Sequence, residues 1–323
     1  MSEILVAATS LTRVFTRTSG RGRMRSRERV IAVDGLDLTI ARGESLGYIG
    51  ANGAGKSTTI KMLTGILVPT SGSVVVCGLE PVKRRKDLAR RIGVVFGQRS
   101  QLWWDLPLAE SFTILAAIHQ LPQSRFTQRL DELVEQLELG STLQTPVRQL
   151  SLGQRMRGEL AAALLHSPEL VILDEPTIGL DVVSKERLRQ FLLAERAAHG
   201  TTLLLTTHDM GDIERLCERV VVVDHGRSAY DGPLAELSRL AQTKRVLAVD
   251  FAEPRPPLRD IVSAQFLDSD ATGVRQRFAF SAESATAAEV LAEVSSRGEV
   301  RDLTVEEPDI EAVVRALYQG QGR

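Results

Sequence analysis

Ser45-Leu46-Gly47-Tyr48-Ile49-Gly50-Ala51-Asn52-Gly53-Ala54-Gly55-Lys56-Ser57-Thr58 decides the fold. Ser45–Ile49 is short and largely apolar, the composition of a strand buried on both faces. Gly50 to Thr58 then fits G-x-x-x-x-G-K-[ST], with strand, glycine-rich turn and helix start in the order that pattern requires. The glycines let backbone N–H groups turn inward around phosphate oxygens at a helix N-terminus, where the dipole favours negative charge. In such a cradle Lys56 reaches the β- and γ-phosphates and the Ser57 hydroxyl ligates Mg²⁺. A chance glycine-rich turn would not keep strand, glycines and Lys-Ser in register.

Further along, Leu170-Val171-Ile172-Leu173-Asp174-Glu175-Pro176 is an apolar run ending in two acids. Asp174, at the carboxyl end of a buried strand, would hold Mg²⁺. Glu175, one residue on, could polarise an attacking water as general base. An Asp-Glu pair alone is usually a solvated turn; coupled to a phosphate loop it points to phosphoryl chemistry. Asn52 is the only asparagine of the chain, so the guanine-reading N-K-x-D motif cannot exist and ATP is the expected nucleotide.

Outward from these motifs, residues 1–240 alternate β-branched runs with amphipathic stretches, the pattern of a mostly parallel sheet in an α/β fold. The expected strands are Ser45–Ile49, Gly93–Phe96, Leu170–Leu173, Thr201–Thr206 and Arg219–Val223. Leu108–Ser167 reads helical from the spacing of Leu130, Leu133, Val134 and Leu137, and is too long for one crossover, so a helical subdomain is expected at about 108–167. From 241 to 323 a second, smaller α+β domain is expected. Its strands would be Lys244–Phe251, Val274–Phe280 and Val300–Val305, and its helices Ser284–Ser295 and Asp309–Tyr318, with Pro254, Pro256 and Pro257 in a loop.

At 323 residues, with 40 basic and 41 acidic side chains, the chain has room for two domains, and its balanced charge disfavours a wholly basic nucleic-acid binder. The longest apolar run, Leu160–Leu165, falls far short of the roughly 20 residues of a membrane span. Met1 to Thr12 lacks the basic start and apolar core of a secretory signal. Cys77 and Cys217 suit small buried residues in a reducing cytosol rather than a disulfide framework. Arg13 to Arg29 holds seven arginines and one acid, Glu28. It reads as a solvated loop (a basic insertion at 16–30) between two strands. Anionic lipid is a second reading, and nucleic acid a weaker third, because no aromatic residue lies between Thr16 and Arg29 to stack on bases.

Leu150-Ser151-Leu152-Gly153-Gln154-Arg155 opens another helical run, with Ser151 and Gly153 at an anion-seeking N-terminus. One ATP is already saturated by the first cradle, so this terminus is expected to serve a nucleotide held by another chain. Here the resemblance becomes specific: residues 1–240 resemble the nucleotide-binding subunit of an ATP-binding cassette (ABC) transporter, with Leu150–Gln154 matching the signature L-S-G-G-Q except for Leu152. The resemblance implies a P-loop NTPase ABC cassette, a mostly parallel sheet with an antiparallel β edge. It also implies that Gln98 touches Mg²⁺ and senses the membrane partner, and that His208 contacts the γ-phosphate. Gly179-Leu180-Asp181 would form the loop that crosses a dimer interface, with Phe15 stacking on adenine. Gly50, Ala51, Asn52, Gly53, Ala54, Gly55, Lys56, Ser57 and Thr58 would hold the phosphates, together with Ser151, Gly153 and Gln154 from the opposing chain.

The run Phe96–Pro107 contains both tryptophans, Trp103 and Trp104, which read as a socket for a helix of a membrane subunit. This run, the basic insertion and the tail Val300–Asp309 are similar to ABC-2-type export ATPases, most of all to the viologen-exporter-like branch. Implied are a dimer of nucleotide-binding subunits, separate integral-membrane permease subunits, a peripheral place on the cytoplasmic face of the cell membrane, and no nucleic-acid partner. The rival class is a non-transport ABC ATPase. Ribosomal members carry two cassettes, whereas this chain has one, and repair members insert heptads or zinc cysteines that it lacks.

Overall fold

The computed structural model describes residues 3–19, 26–97, 100–237, 245–281 and 284–306, with the backbone alone at 17–19, 26 and 27. The chain divides into two compact units between Gly232 and Pro233.

In the first unit β3 (Ser45–Gly50), β5 (Ile92–Phe96), β6 (Leu170–Asp174), β7 (Thr202–Thr206), β8 (Arg219–Asp224) and β9 (Arg227–Pro233) form one sheet, ordered β5-β6-β7-β3-β8-β9. Neighbours from β5 to β8 are parallel. The five strands expected from sequence are all present to within a residue at either end. Each is covered on both faces, so its apolar run is continuous rather than alternating; every residue of β7 is buried. Helices α1 (Lys56–Leu63), α6 (Val182–His199) and α7 (Met210–Leu216) follow β3, β6 and β7.

A second sheet, β2-β1-β4, is antiparallel and comprises β1 (Ile4–Ser19), β2 (Ser26–Ala41) and β4 (Ser71–Val76). One core cluster joins its Leu5, Leu11, Leu36, Leu38 and Ile40 to Tyr48 of β3 and to Ile60 and Leu63 of α1, all almost fully buried. The basic segment departs from expectation. Both strands run on into it, pairing Thr16 with Arg29, Arg17 with Glu28 and Thr18 with Arg27. A two-stranded ribbon satisfies its backbone within itself and needs no buried face. Apolar periodicity, which reports only a buried face, therefore missed it. Residues 20–25 lie outside the described residues.

Residues 108–167 are helical, as expected: α3 (Leu108–His119), α4 (Gln123–Gln136) and α5 (Leu152–Leu164), with two single 3₁₀ turns before α5. On α4 the buried Arg129 is paired with the buried Glu195 of α6 and lies 3.2 Å from Glu132. Losing one partner of such a buried pair costs roughly 3–5 kcal/mol, because a charge is left uncompensated. At Gly93 of β5 an added Cβ would run into the Ala163 carbonyl, so α5 sits directly on the sheet. Among the described residues no helix is long and apolar enough to cross a membrane.

The second unit is α+β, as expected. Its antiparallel sheet runs β11-β12-β10-β13, from β10 (Arg245–Phe251), β11 (Gln265–Ser269), β12 (Arg275–Phe280) and β13 (Val300–Glu306). Phe251, Phe278 and Phe280 build its own core with Val290 and Val294 of α8 (Ala287–Arg297). That helix begins later than expected because Thr286 caps it, in a reciprocal box with Glu289. The helix expected at Asp309–Tyr318 lies outside the described residues.

His119, at the end of α3, stacks on His166 after α5, ring centroids 4.0 Å apart. Burial, then the neighbouring His119, pushes the His166 imidazole down to about 4. Burial, then Arg90, lowers His119 as well. The unfolded chain therefore takes up a proton that the folded one refuses as pH falls from about 6.5 towards 4, and stability is lost across that window, in the limit on the order of 3 kcal/mol for His166. His166→Gln should flatten the decline of Tm between pH 7 and 4.5, measured by thermal melts in a pH series. Parallel Tm–pH curves for variant and parent would show that the pair carries no such penalty.

Candidate active site

The turn from β3 into α1 builds a cradle. Gly53 and Gly55 stand at φ +86° and +104°, and a Cβ on Gly55 would collide with the Ala32 carbonyl of β2. A side chain here would meet both penalties at once. Lys56 Nζ folds back to donate to the carbonyls of Gly50 (2.5 Å) and Ala51 (3.2 Å). Burial lowers the ammonium from its ordinary value, while the Glu175 and Asp174 carboxylates oppose that shift. An ammonium partly stripped of water, with only neutral carbonyls as hydrogen-bond acceptors among the described residues, suits an incoming anion. Beneath the turn the Tyr48 hydroxyl lies 3.1 Å from Thr59 Oγ1 and anchors α1 to β3.

The cradle opens on a cavity of about 710 Å³, within the range that holds a small-molecule ligand. Asp174 ends β6, and its Oδ1 accepts the Thr206 hydroxyl at 2.6 Å. Glu175 stands at φ +56°, a left-handed conformation that costs a side-chain-bearing residue roughly 1–3 kcal/mol. Its N–H is held by the Thr206 carbonyl at 2.9 Å. Its Oε2 lies 2.7 Å from Nδ1 of the exposed His208, just beyond β7. β6 and β7 are neighbours, so two residues 33 apart in sequence meet at adjoining strand ends.

Asn52, Gly53, Gly55, Lys56, Ser57, Thr58, Asp174, Glu175 and His208 all line this cavity. Gly50, Ala51 and Ala54 shape the turn without lining it. At Gly50 an added Cβ would come within 2.6 Å of the Val223 carbonyl. Ala32, Lys61, Ile66, Phe96, Gly97 and Ile178 also line it, and sequence reasoning missed them. Lys61 had a signal, one helical turn beyond Ser57. Ala32 had none, because β2 reaches the site only through the packing of the two sheets. Gln98 lies outside the described residues.

Five expected residues are not brought into this cavity. Ser151 and Gln154 close a capping box on α5, in which Ser151 Oγ accepts from the Gln154 amide and Gln154 Oε1 from the Ser151 amide. Gly153 lies in the same turn. Asp181 caps α6, and the Ser184 amide, then its hydroxyl, holds the Asp181 carboxyl below its ordinary range. Phe15 is partly exposed on β1, with the Arg13 guanidinium 4.7 Å from its ring centre. Leu152, which departs from the signature pattern, lies against Gly179, where an added Cβ would come within 2.8 Å of its Cδ2.

The tryptophan loop is fastened to α5. The Gln101 amide donates to the buried Glu159 carboxylate at 3.2 Å, and Arg155 stacks 5.7 Å over the Trp104 ring. Trp104 remains 52% exposed, too open to be a core residue, whereas Trp103 is half-buried.

Residues 33–178 match the family model described as ABC transporter. The Nod factor export ATP-binding protein I of Cupriavidus metallidurans is 39% identical over 238 residues, 72% of this chain and 76% of that protein. The match spans a little less, 63%, of its namesake from Ralstonia nicotianae. The ABC transporter ATP-binding protein NatA of Bacillus subtilis is 31% identical over 69% of this chain and 91% of its own length. Among solved structures, cbiO1 of Clostridium perfringens, described as part of the ABC transporter complex cbiONQ, superposes with TM-score 0.60 at 26% identity, over 74% of this chain and 95% of that one. The cassette MJ0796, solved as a dimer in a post-hydrolysis state with ADP and Pi, gives 0.59 at 26% identity, over 71% and 98%. Sharing this fold, this phosphate cradle and this much sequence, the chain belongs to the ATP-binding subunits of ABC transporters and is an ABC ATPase.

Proposed function

We propose that this subunit powers an exporter by hydrolysing ATP at a site that a second cassette completes. The observation that carries the reading is the Glu175–His208 pair, 2.7 Å apart at the rim of a cavity whose floor is a phosphate cradle. Lys56 and the amides of Gly53 to Thr58 receive the β- and γ-phosphates. Mg²⁺ favours hard oxygen donors and keeps few protein ligands. The Ser57 hydroxyl and the Asp174 carboxylate, which has one oxygen on Thr206, fit that demand, with Gln98 as a further ligand. When bound, the ion neutralises charge developing on the phosphates. Glu175 accepts the proton of the attacking water, and His208 both holds that carboxylate and faces the γ-phosphate. Phe15 offers its ring to adenine.

Ser151, Gly153 and Gln154 stand away from their own chain's cavity, which supports their service to the nucleotide of a partner cassette, with Asp181 at the same interface. MJ0796 was solved as a dimer, and the relatives named for export, with cbiO1 in a transporter complex, support integral-membrane permease partners and a peripheral place on the cytoplasmic face. The exposed Trp104 is the expected anchor for a permease helix.

Glu175→Gln should retain ATP binding while kcat falls roughly 10²–10⁴-fold, the scale of a lost general base; near-normal turnover in the purified variant would move the base elsewhere. Trp104→Ala should leave Tm nearly unchanged yet abolish permease-stimulated ATP hydrolysis, and a melt lowered by many degrees would instead mark Trp104 as structural. Lys56→Ala and Ser151→Arg should each inactivate a homodimer, whereas mixing them after subunit exchange creates one intact shared site. Activity is expected to reappear on mixing. Single cysteines at Ser57 and Gly153 should crosslink into an ATP-dependent dimer band, and the lack of that band would point to a site closed within one chain.

A further inference from the structure

Glu175 at φ +56° needs surroundings that over-determine it, since a strained residue keeps its conformation only where its neighbours hold it there. Part of that hold comes from two residues on. Thr177, 2% exposed, donates its hydroxyl to Asp212 Oδ2 at 2.5 Å. The same oxygen takes the Thr207 hydroxyl at 3.4 Å, and Thr207 immediately precedes His208. One carboxylate thus fastens both backbone segments that bear the pair.

Asp212 itself is fully buried on α7. A buried carboxylate is costly unless it is paired and hydrogen-bonded. Arg189 of α6 meets that need, with Nε 2.6 Å and Nη2 2.5 Å from Asp212 Oδ1. Each Asp212 oxygen is therefore used: Oδ1 by the guanidinium, Oδ2 by the two threonines. Thr207 Oγ1 is further fixed by accepting the Asp209 amide at 2.9 Å. Neither Asp212 nor Thr177 lines the cavity.

We propose that Asp212 is a positioning residue. It holds the turn after β6 and the end of β7 in the register at which Glu175 Oε2 meets His208 Nδ1, with Arg189 as its counter-charge. The role rests on Glu175 and His208 being the hydrolytic pair proposed above. Loosening this clamp displaces the carboxylate that must receive the proton, and a small misplacement of that kind can lower a rate by about 10²-fold.

Thr177 is the place to test it, because Asp212→Asn would strand Arg189 and could simply unfold the chain. In the full-length protein Thr177→Val removes the hydroxyl at nearly constant volume, whereas Thr177→Ser keeps it. The valine variant should lose about 10–100-fold in kcat for ATP, with KM within about twofold of the parent, since the phosphate cradle is untouched. The serine variant should recover most of that rate. Independently of activity, the His208 imidazole resonance, assigned by its loss in His208→Gln, should move in the valine variant and return in the serine variant. An unmoved resonance with parental kcat overturns the clamp. So does an equal loss of kcat in both variants with the resonance unmoved, because side-chain volume rather than the hydroxyl would then matter. A moved resonance with parental kcat keeps the clamp but removes Glu175 and His208 from hydrolysis.

Discussion

Backbone amides at the start of α1 must face a polyanion, and the turn that aims them can carry no side chain at Gly55. That residue is pressed against the Ala32 carbonyl of β2 and stands at φ +104°. The steric limit does two things at once. It frees the amides to converge on phosphate, and it lets the antiparallel sheet approach closely enough for Ala32 to form part of the cavity wall. Tyr48 and Ile60, buried in the core shared by the two sheets, keep the turn from relaxing.

The rest of the chemistry follows from the order of strands. β6, β7 and β3 are neighbours in a parallel sheet, so their carboxyl ends deliver Asp174, His208 and the cradle to one edge, the usual place for a ligand in an open α/β sheet. The lowered ammonium of Lys56 and the carboxylates opposite it form a field poised for a ligand carrying both phosphate charge and a cation. The left-handed backbone at Glu175 is the local cost of that convergence. It is supported from outside the cavity by Thr206, Thr177 and Asp212.

The second anion-seeking helix start behaves differently. At α5 the capping box returns the Ser151 and Gln154 side chains to their own backbone. Leu152, substituted for glycine, packs over Gly179 and joins the signature turn to the loop that carries Asp181. An interface built from both segments would move as one piece. Further along α5, Arg155 over Trp104 and Gln101 on Glu159 tie the same helix to the exposed tryptophan loop.

By itself the sequence determined what short-range backbone geometry controls. The cradle from Gly50 to Thr58, the strand ending at Asp174 with Glu175 one residue on, the nucleotide class and the helical stretch from 108 were all legible, because glycine freedom, strand burial and helix spacing act within a dozen residues. The family motifs added His208 and the signature turn. Only the tertiary structure decided the pairings that depend on strand order and sheet packing: Glu175 with His208, Ala32 on the cavity wall, Arg129 with Glu195, and Asp212 beneath the two segments that carry Glu175 and His208. The arginine-rich segment, expected as a solvated loop yet paired as strands at 16–19 and 26–29, was misread for the opposite reason. The pairing of β1 with β2 is made backbone to backbone, and such hydrogen bonds are invisible in the order of side chains.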